Sequence, residues 1–480
     1  MQGSKQYAGR LFYQISLESL VPADHLVRKL AKAVDLGWVR KATAQYYSNT
    51  GKPSIDPVVI SKMMILGFLY NISSERQLMR EIQVNLAYRW YLGYDIDEAI
   101  PNHSVLSKAR RRLGENFFEE LFNFILELCR DNGLIDGSNV LIDSTLVKGN
   151  ASTDSLKYTP KQYFHQLESE SDHEKDDDLG NKRPRDNRLR DHKQSTTDPD
   201  VTLVRKSQKT VLGYKTHVCA DSHKGIITAV TATTASADDT SAVPQLLDNH
   251  HQSLEQLPVR VVADGAYGSQ DCLEHIQNKG IETVIKKRSG GNKHGGYDKS
   301  RFRYDSDKDI FICPAGAILK RVRTDQKKNK SHYRCKVQDC RCCTDRSACL
   351  GAKSRASCRT VTRFITPYES RAKSSCQSAI GRNLLKLRHT LLEGLFGQAK
   401  SFHGLGSARW RGLGNMLIQS MLTATVLNLK KLLSCLQEKL IRVSACIKGI
   451  LKNNSYIYGL LRAYLRLSVL KILKLHYVQK

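Results

Sequence analysis

Three acids occupy positions from which carboxylates can hold divalent cations. Asp264 closes the run Val259-Arg260-Val261-Val262-Ala263, apolar and β-branched, and is followed by Gly265-Ala266-Tyr267-Gly268. The run reads as a buried strand that delivers one acid to the edge of a sheet. Taken alone, it is equally well explained by a turn-forming Asp that caps the next helix. Asp143 lies inside Val140-Leu141-Ile142-Asp143-Ser144-Thr145-Leu146-Val147, a second strand pattern. An unpaired carboxylate buried in a strand is expensive, so Asp143 is either paired with a base or neutralised by a cation. Glu393 lies in the stretch Arg388 to Lys400, helical by its apolar spacing, and Lys400 stands about two turns further along the same face. An acid for a cation and a base for a phosphate can then face one substrate; an ordinary amphipathic helix with an exposed Glu is the alternative. Gly394 and Gly397 each cost that helix about 1 kcal/mol against Ala, and close approach of another backbone is the simplest explanation for them.

Cysteine supplies a second candidate chemistry. Of the 13 cysteines, Cys340-x-x-Cys343 has knuckle spacing, and Cys335 and Cys349 flank it closely enough to complete a four-thiolate zinc site. Free thiols are the alternative. The surrounding stretch is rich in Lys, Arg, Gly and Ser, too poor in apolar residues to fold by burial alone, which a structural metal would remedy.

The whole chain bounds what these groups act on. With 480 residues and 40% hydrophobic content it can bury a substantial core and suggests two or three domains. Its formal net charge of +28, from 75 Lys+Arg against 47 Asp+Glu, favours a polyanionic partner, nucleic acid first. An anionic membrane would usually be met by a compact basic cluster beside an anchor, whereas here the charge runs along most of the chain. The N-terminus lacks a secretory pattern, and the apolar run Val58 to Tyr70 contains Lys62 and is short for a membrane span. The expectation is a soluble, cytoplasmic protein with reduced cysteines.

The elements that must position the acids follow from periodicity. Residues 1–135 read as a helical domain: a buried helix from Pro57 to Tyr70, a capping box at Ser74 opening a helix to about Val84, and a short helix from Val105 to Leu113 with a basic end. Arg110, Arg111 and Arg112 suit a helix-turn-helix type DNA-binding module, or are a solvated helix end. Residues 136–287 read as strands near 140–147, 213–220 and 225–234, a helix from Asp238-Asp239 to about Asn249, the Val259 strand, a helix over 269–279 and a strand over 282–286. This is a mixed α/β sheet flanked by helices, in which adjacent central strands could bring Asp143 and Asp264 side by side. Within it, residues 155–197 form an acidic and then basic run expected to be a mobile insertion. Residues 288–378 form the basic, cysteine-rich insertion, 379–433 return to the core with Glu393, and 434–480 form a basic helical tail.

Read together, these blocks resemble the DDE-type transposases of bacterial insertion sequences. The resemblance rests on Ser16-Leu17-Glu18-Ser19-Leu20-Val21-Pro22 with Asp24-His25-Leu26; Ile142-Asp143-Ser144-Thr145; Thr197-Asp198-Pro199-Asp200 with Gly213-Tyr214-Lys215; Ala263 to Gly268; and Glu393-x-x-Phe396-Gly397-x-x-Lys400 with Arg409-x-Arg411-Gly412. It implies a ribonuclease H-like core in which Asp143, Asp264 and Glu393 are both catalytic residues and ligands of two divalent cations, Mg2+ or Mn2+. It further implies cleavage at terminal inverted repeats and strand transfer into target DNA, with the active complex a homodimer or higher oligomer. Lys400, Arg388, Arg409 and Arg411, with Arg110 to Arg112, would contact DNA. The family carries an arginine four residues before the Glu; here that position is His389, and Arg388 is the nearest arginine. A repressor or degenerate copy that binds DNA without cleaving it, and a nuclease with the same core, are the competing readings.

Overall fold

The computed structural model describes residues 16–48, 50–51, 53–159, 192–206, 209–286, 296–326, 330–351, 354–364 and 367–453. Most of the charged insertion expected over 155–197, and the last 27 residues of the expected tail (454–480), lie outside them.

The N-terminal helices start where their local chemistry says they should. Asp56 accepts a hydrogen bond from the Val58 N–H with Pro57 in the first turn, and the helix Pro57–Leu69 buries nearly all of its surface. Ser74 Oγ accepts from Gln77 N to open Glu75–Val84. The basic helix is longer than its spacing predicts, Ser104–Asp131, but it breaks at Gly114, whose φ of 67° ends the first half one residue after Leu113.

A six-stranded mixed sheet forms the centre. Its strands are β1 (Asn139–Lys148), β4 (Thr202–Lys206), β5 (Lys209–Asp221), β6 (Ile227–Thr234), β7 (Arg260–Ala263) and β8 (Glu282–Ile285); separately, β2 (Leu156–Thr159) pairs antiparallel with β3 (His192–Ser195). β1 pairs antiparallel with β5 on one side and parallel with β7 on the other, β7 pairs parallel with β8, and β5 carries β4 and β6 on its far edge. β2, β3 and β4 went unread because their residues sit among polar and charged neighbours and lack a strong alternating pattern.

Alternation along the strands builds two layers. Leu141, Val218, Val230 and Val262 face a large core shared with the N-terminal helices and with Met416 to Leu433 of the helix Leu413–Asn453. Val140, Ile142, Val261 and Ala263 face the opposite way, onto Leu246, Leu247 and Ile276 of the two crossover helices. The helix Leu413–Asn453 runs through the residue 433/434 boundary, although no residue described beyond Leu433 is fully buried. Among the described residues no helix is long and apolar enough to cross a membrane.

The cysteine-rich stretch is more ordered than its composition suggests. It forms a five-stranded antiparallel sheet in the order β13-β12-β11-β10-β9, from β9 (Arg303–Asp305), β10 (Ile310–Ile312), β11 (Ile318–Asp325), β12 (Lys330–Cys335) and β13 (Thr360–Phe364). Its core is small: Phe302, Phe311, Leu319, Tyr333, Cys335 and Val361. Aromatic packing compensates, with Phe311 and Tyr333 meeting edge to face at 5.0 Å.

Candidate catalytic acids and their supports

Asp143 and Asp264 are delivered by neighbouring strands running the same way. Leu141 is in register with Val262, so each acid lies two residues further along its own strand, at the same end of the sheet. Asp264 does both things its sequence allowed: it ends β7, and its Oδ1 accepts the Ala266 N–H at 2.8 Å to cap a short 3-10 turn. Asp143 is held at both carboxylate oxygens. Ser144 N donates to Oδ1 at 2.8 Å, and Arg388 Nη2 stands 2.8 Å from Oδ2 while its Nε donates to the Ile142 carbonyl at 3.3 Å. Burial raises the Asp143 pKa above the ordinary carboxylate value and the charges of Asp264 and Asp239 add to the rise, while Arg388 and the Ser144 N–H oppose it.

A third acid, unremarked as a site residue in the sequence, belongs to this cluster. Asp239 Oδ1 accepts from Ser144 Oγ at 2.9 Å and pairs with Lys215 Nζ at 3.0 Å. Lys215 also donates to the Ala237 carbonyl at 2.6 Å. The Tyr267 hydroxyl is buried beside these groups, and burial followed by the charges of Asp239 and Asp143 pushes its pKa up, while the Ser144 hydroxyl opposes the rise.

Glu393 stands on the helix Ala379–Phe402, which packs against β1 and β7 and also supplies Arg388. Its carboxylate is 70% exposed and rests 3.0 Å from His389 Nδ1, one turn back. Gly394 and Gly397 face open space: a Cβ at either would meet nothing within 4 Å, so no described backbone approaches them, contrary to the expectation from their helix cost.

The donor chemistry of Asp143 and Asp264 fits a hard divalent cation, because both offer oxygen and the buried negative charge of Asp143 is the kind a cation relieves. Among the described residues, however, no three His, Cys, Asp or Glu side chains are grouped as a set that could hold a metal ion. The expected trio is therefore brought together in two of its members, with the third on the helix alongside. The same holds for sulfur. Cys313, Cys335, Cys340, Cys342, Cys343 and Cys349 line one cavity of about 520 Å3 without forming a coordination set. Cys335 is buried in the small core beside Cys340, and burial pushes its thiol up to about 12.

The arginines divide by burial. Arg110 is 7% exposed, pairs with Glu75 at 2.6 Å and stacks on Trp410 at 3.7 Å. Arg409 stacks on Phe68 at 3.9 Å and donates to the Gly67 and Ile72 carbonyls, and burial lowers its pKa to about 10. Both guanidinium groups lie inside the protein against aromatic rings, although Arg409 Nε and Nη2 have no hydrogen-bond partner there. Arg111, Arg112, Arg411 and Lys400 are exposed, with Arg112 over the Tyr47 ring and Arg411 donating to the Asn150 carbonyl.

Two of the sequence blocks turn out to be scaffolding. Asp198 is fully buried, accepts from the Tyr214 hydroxyl at 2.6 Å and takes the Gly412 N–H, while Asp200 takes the Leu413 N–H at 2.8 Å. The pair caps the last long helix, where negative charge is favoured. The segment before that helix is tied to the end of β1 by Lys148 N to Gly406 O and Ala408 N to Lys148 O.

Two family models match the chain: a transposase domain (DUF772) over residues 15–112 and a transposase DDE domain over residues 312–433. The second spans the three strands β11 to β13 of the small sheet, Glu393 and Lys400; neither spans Asp143 or Asp264. No curated protein matches. Among solved structures, the chain is similar to a piggyBac transposase synaptic complex with hairpin DNA, at 9% identity and a TM-score of 0.29, over 86% of this chain and 79% of that one. It is also similar to a Mos1 transposase paired-end complex with the left transposon end, at 11% identity and a TM-score of 0.16, over 49% and 61%. A Mos1 mariner paired-end complex with Mn matches at 12% identity and a TM-score of 0.16, over 52% and 66%. At such TM-scores these three likenesses carry no structural argument.

Proposed function

We propose, from the premise that the chain belongs to the DDE-type transposases, that it cuts DNA strands at the terminal inverted repeats of a bacterial insertion sequence and joins the freed ends to target DNA. The observation that carries this reading is the arrival of Asp143 and Asp264 at one end of adjacent parallel strands, beside the helix that bears Glu393. The strand order fits a ribonuclease H-like core, with Asp143 on the central strand.

In this reading Asp143, Asp264 and Glu393 would hold two divalent cations, Mg2+ or Mn2+, which when bound supply Lewis-acid stabilisation of the attacking and leaving oxygens. Asp143 is kept in one orientation by Ser144 N–H and Arg388. Lys400 and Arg411 would position phosphates without reading bases, and the N-terminal helices, through Arg111 and Arg112, would engage the ends. The active complex is proposed as a homodimer or larger assembly on DNA.

Asp143→Asn and Asp264→Asn should each lower Mg2+-dependent nicking of end-containing DNA by about a thousandfold or more, the scale of several kcal/mol of transition-state stabilisation, with end binding retained. Full-rate nicking by either variant would overturn the assignment. The carboxylate of Glu393, resting on His389, favours one second reading, a copy that binds ends without cutting them. Absence of nicking by the unaltered protein in Mg2+ and in Mn2+, with end binding intact, would establish that reading instead.

A further inference from the structure

We propose that Asp239 is a positioning residue for the acid pair, holding the Asp143–Ser144 corner of β1 through Ser144, with Lys215 fixing Asp239 in turn. The inference rests on the function proposed above. Its geometry is a relay of short contacts from three separate parts of the chain. Lys215 on β5 is anchored on the Ala237 carbonyl at 2.6 Å and meets Asp239 Oδ1 at 3.0 Å. The same oxygen accepts Ser144 Oγ at 2.9 Å, and the Ser144 N–H donates to Asp143 Oδ1 at 2.8 Å. Ser144 is thus gripped by its side chain from one side and grips Asp143 by its backbone on the other.

Without Asp239, the Ser144 hydroxyl would lose this acceptor and Lys215 its carboxylate partner, so the turn at Asp239 would no longer be fastened to the part of β1 that presents Asp143. Arg388 restrains only one oxygen of Asp143, Oδ2. A cation held by oxygen ligands requires those ligands in place, and groups that orient the ligands typically cost tenfold or more in affinity or activity when removed. The arrangement also accounts for a lysine placed next to an acidic site. Lys215 meets Asp239, while Asp143 is paired instead with Arg388. Asp239 sits in the 3-10 turn Asp239–Ala242 that leads into the crossover helix, and Lys215 pairs in register with Thr233 of β6, so the relay spans the sheet and the segment that crosses it.

The test compares the full chain with Asp239→Ala, Asp239→Asn, Ser144→Ala and the Ser144→Ala/Asp239→Ala double variant. Mn2+ binding is measured by titration calorimetry, end binding by mobility shift, folding by melting temperature and nicking in Mg2+. Expected are a three- to tenfold weaker Mn2+ affinity and about tenfold slower nicking for Asp239→Ala, unchanged end binding, and substantial recovery in Asp239→Asn, whose side-chain oxygen can still accept from Ser144. Ser144→Ala should match Asp239→Ala, and the double variant should be no worse than the worse single, the signature of one shared interaction. Mn2+ affinity of Asp239→Ala equal to the unaltered protein, losses that add in the double variant, or an Asp239→Asn as impaired as Asp239→Ala would each overturn the proposal. If Asp239→Ala fails to fold, Ser144→Ala decides by the same affinity criterion. An unaltered protein that neither binds Mn2+ nor nicks DNA overturns the function reading, whereas one that does both beside an indistinguishable Asp239→Ala overturns this inference alone.

Discussion

The central sheet buries both of its faces and the sheet of residues 303–364 buries one. In the first, Val140 and Ile142 pack one way and Leu141 the other, so the strand is gripped from two sides along its length. In the second, Phe311, Leu319 and Tyr333 turn inward while Ile318, Lys320 and Arg334 on neighbouring strands stay exposed. The difference bears on chemistry. A doubly packed strand holds a carboxylate such as Asp143 where its own backbone and an arginine from a distant helix both reach it. The smaller sheet fills its core with six residues, one of them a cysteine.

Truncating one residue in each sheet should separate them most strongly. Leu141→Ala is expected to cost about 2–5 kcal/mol and Phe311→Ala about 3–5 kcal/mol. Hydrogen exchange should show Leu141→Ala loosening the central sheet together with the N-terminal helices that share its core, and Phe311→Ala loosening residues 303–364 while β1, β5 and β7 stay protected. Equal loosening everywhere after Phe311→Ala would mean that the two sheets unfold as one.

Acid should act on the central sheet next. Burial pushes His250 and His217 down from 6.5 to about 4, and both pack within or against that sheet. Their folded-state pKa lies below the unfolded one, so the unfolded chain binds protons that the folded chain refuses. Stability should therefore fall as pH drops from about 6.5 to about 4 and level off below. His250→Gln should make chemical denaturation less steeply dependent on pH across that window; an unchanged slope would remove His250 as a cause. Local opening of the small sheet, which has no fully buried histidine among its described residues, should not follow the same curve.

The smallest effects should distinguish arginines two positions apart. Arg409→Ala removes stacking on Phe68 and two hydrogen bonds, so it should lower the melting temperature and leave the salt dependence of DNA binding unchanged. Arg411→Ala and Lys400→Ala should leave melting nearly unchanged and reduce the salt slope by about one each. An unaltered slope for Lys400→Ala would argue against a phosphate contact there.

The strands that carry Asp143 and Asp264 were legible because β-branched runs broken by a carboxylate are a local signal, whereas their parallel pairing appears only once the sheet is formed. The helix starts at Pro57 and at the Ser74 capping box were legible for the same reason. Asp239 was not, since its role depends on Ser144 and Lys215, which lie far away in the chain and meet it only after the sheet forms. Arg110 and Arg409 misled because a guanidinium stacked on an indole or a phenyl ring has the same sequence signature as one facing solvent. Gly394 and Gly397 misled in the opposite direction, as positions where helix propensity is given up on an open surface. The five-stranded sheet escaped notice because most of its strands are short, Lys and Arg interrupt four of them, and only one face carries the apolar pattern.

The amide of Asn428 takes the Ile227 N–H at 2.9 Å and returns its own N–H to the Ile227 carbonyl at 2.8 Å, filling in for a neighbouring strand at that point on the edge of β6. That residue is made 201 positions after the strand it closes. During synthesis the growing sheet must wait, at about 5–20 residues per second, for roughly ten seconds or more with that edge unsatisfied. An open edge of this kind is where unfinished chains pair with one another. Ribosomes stalled short of residue 428 should accordingly release a sticky product, and completion of the last long helix is the step that makes the nascent chain safe.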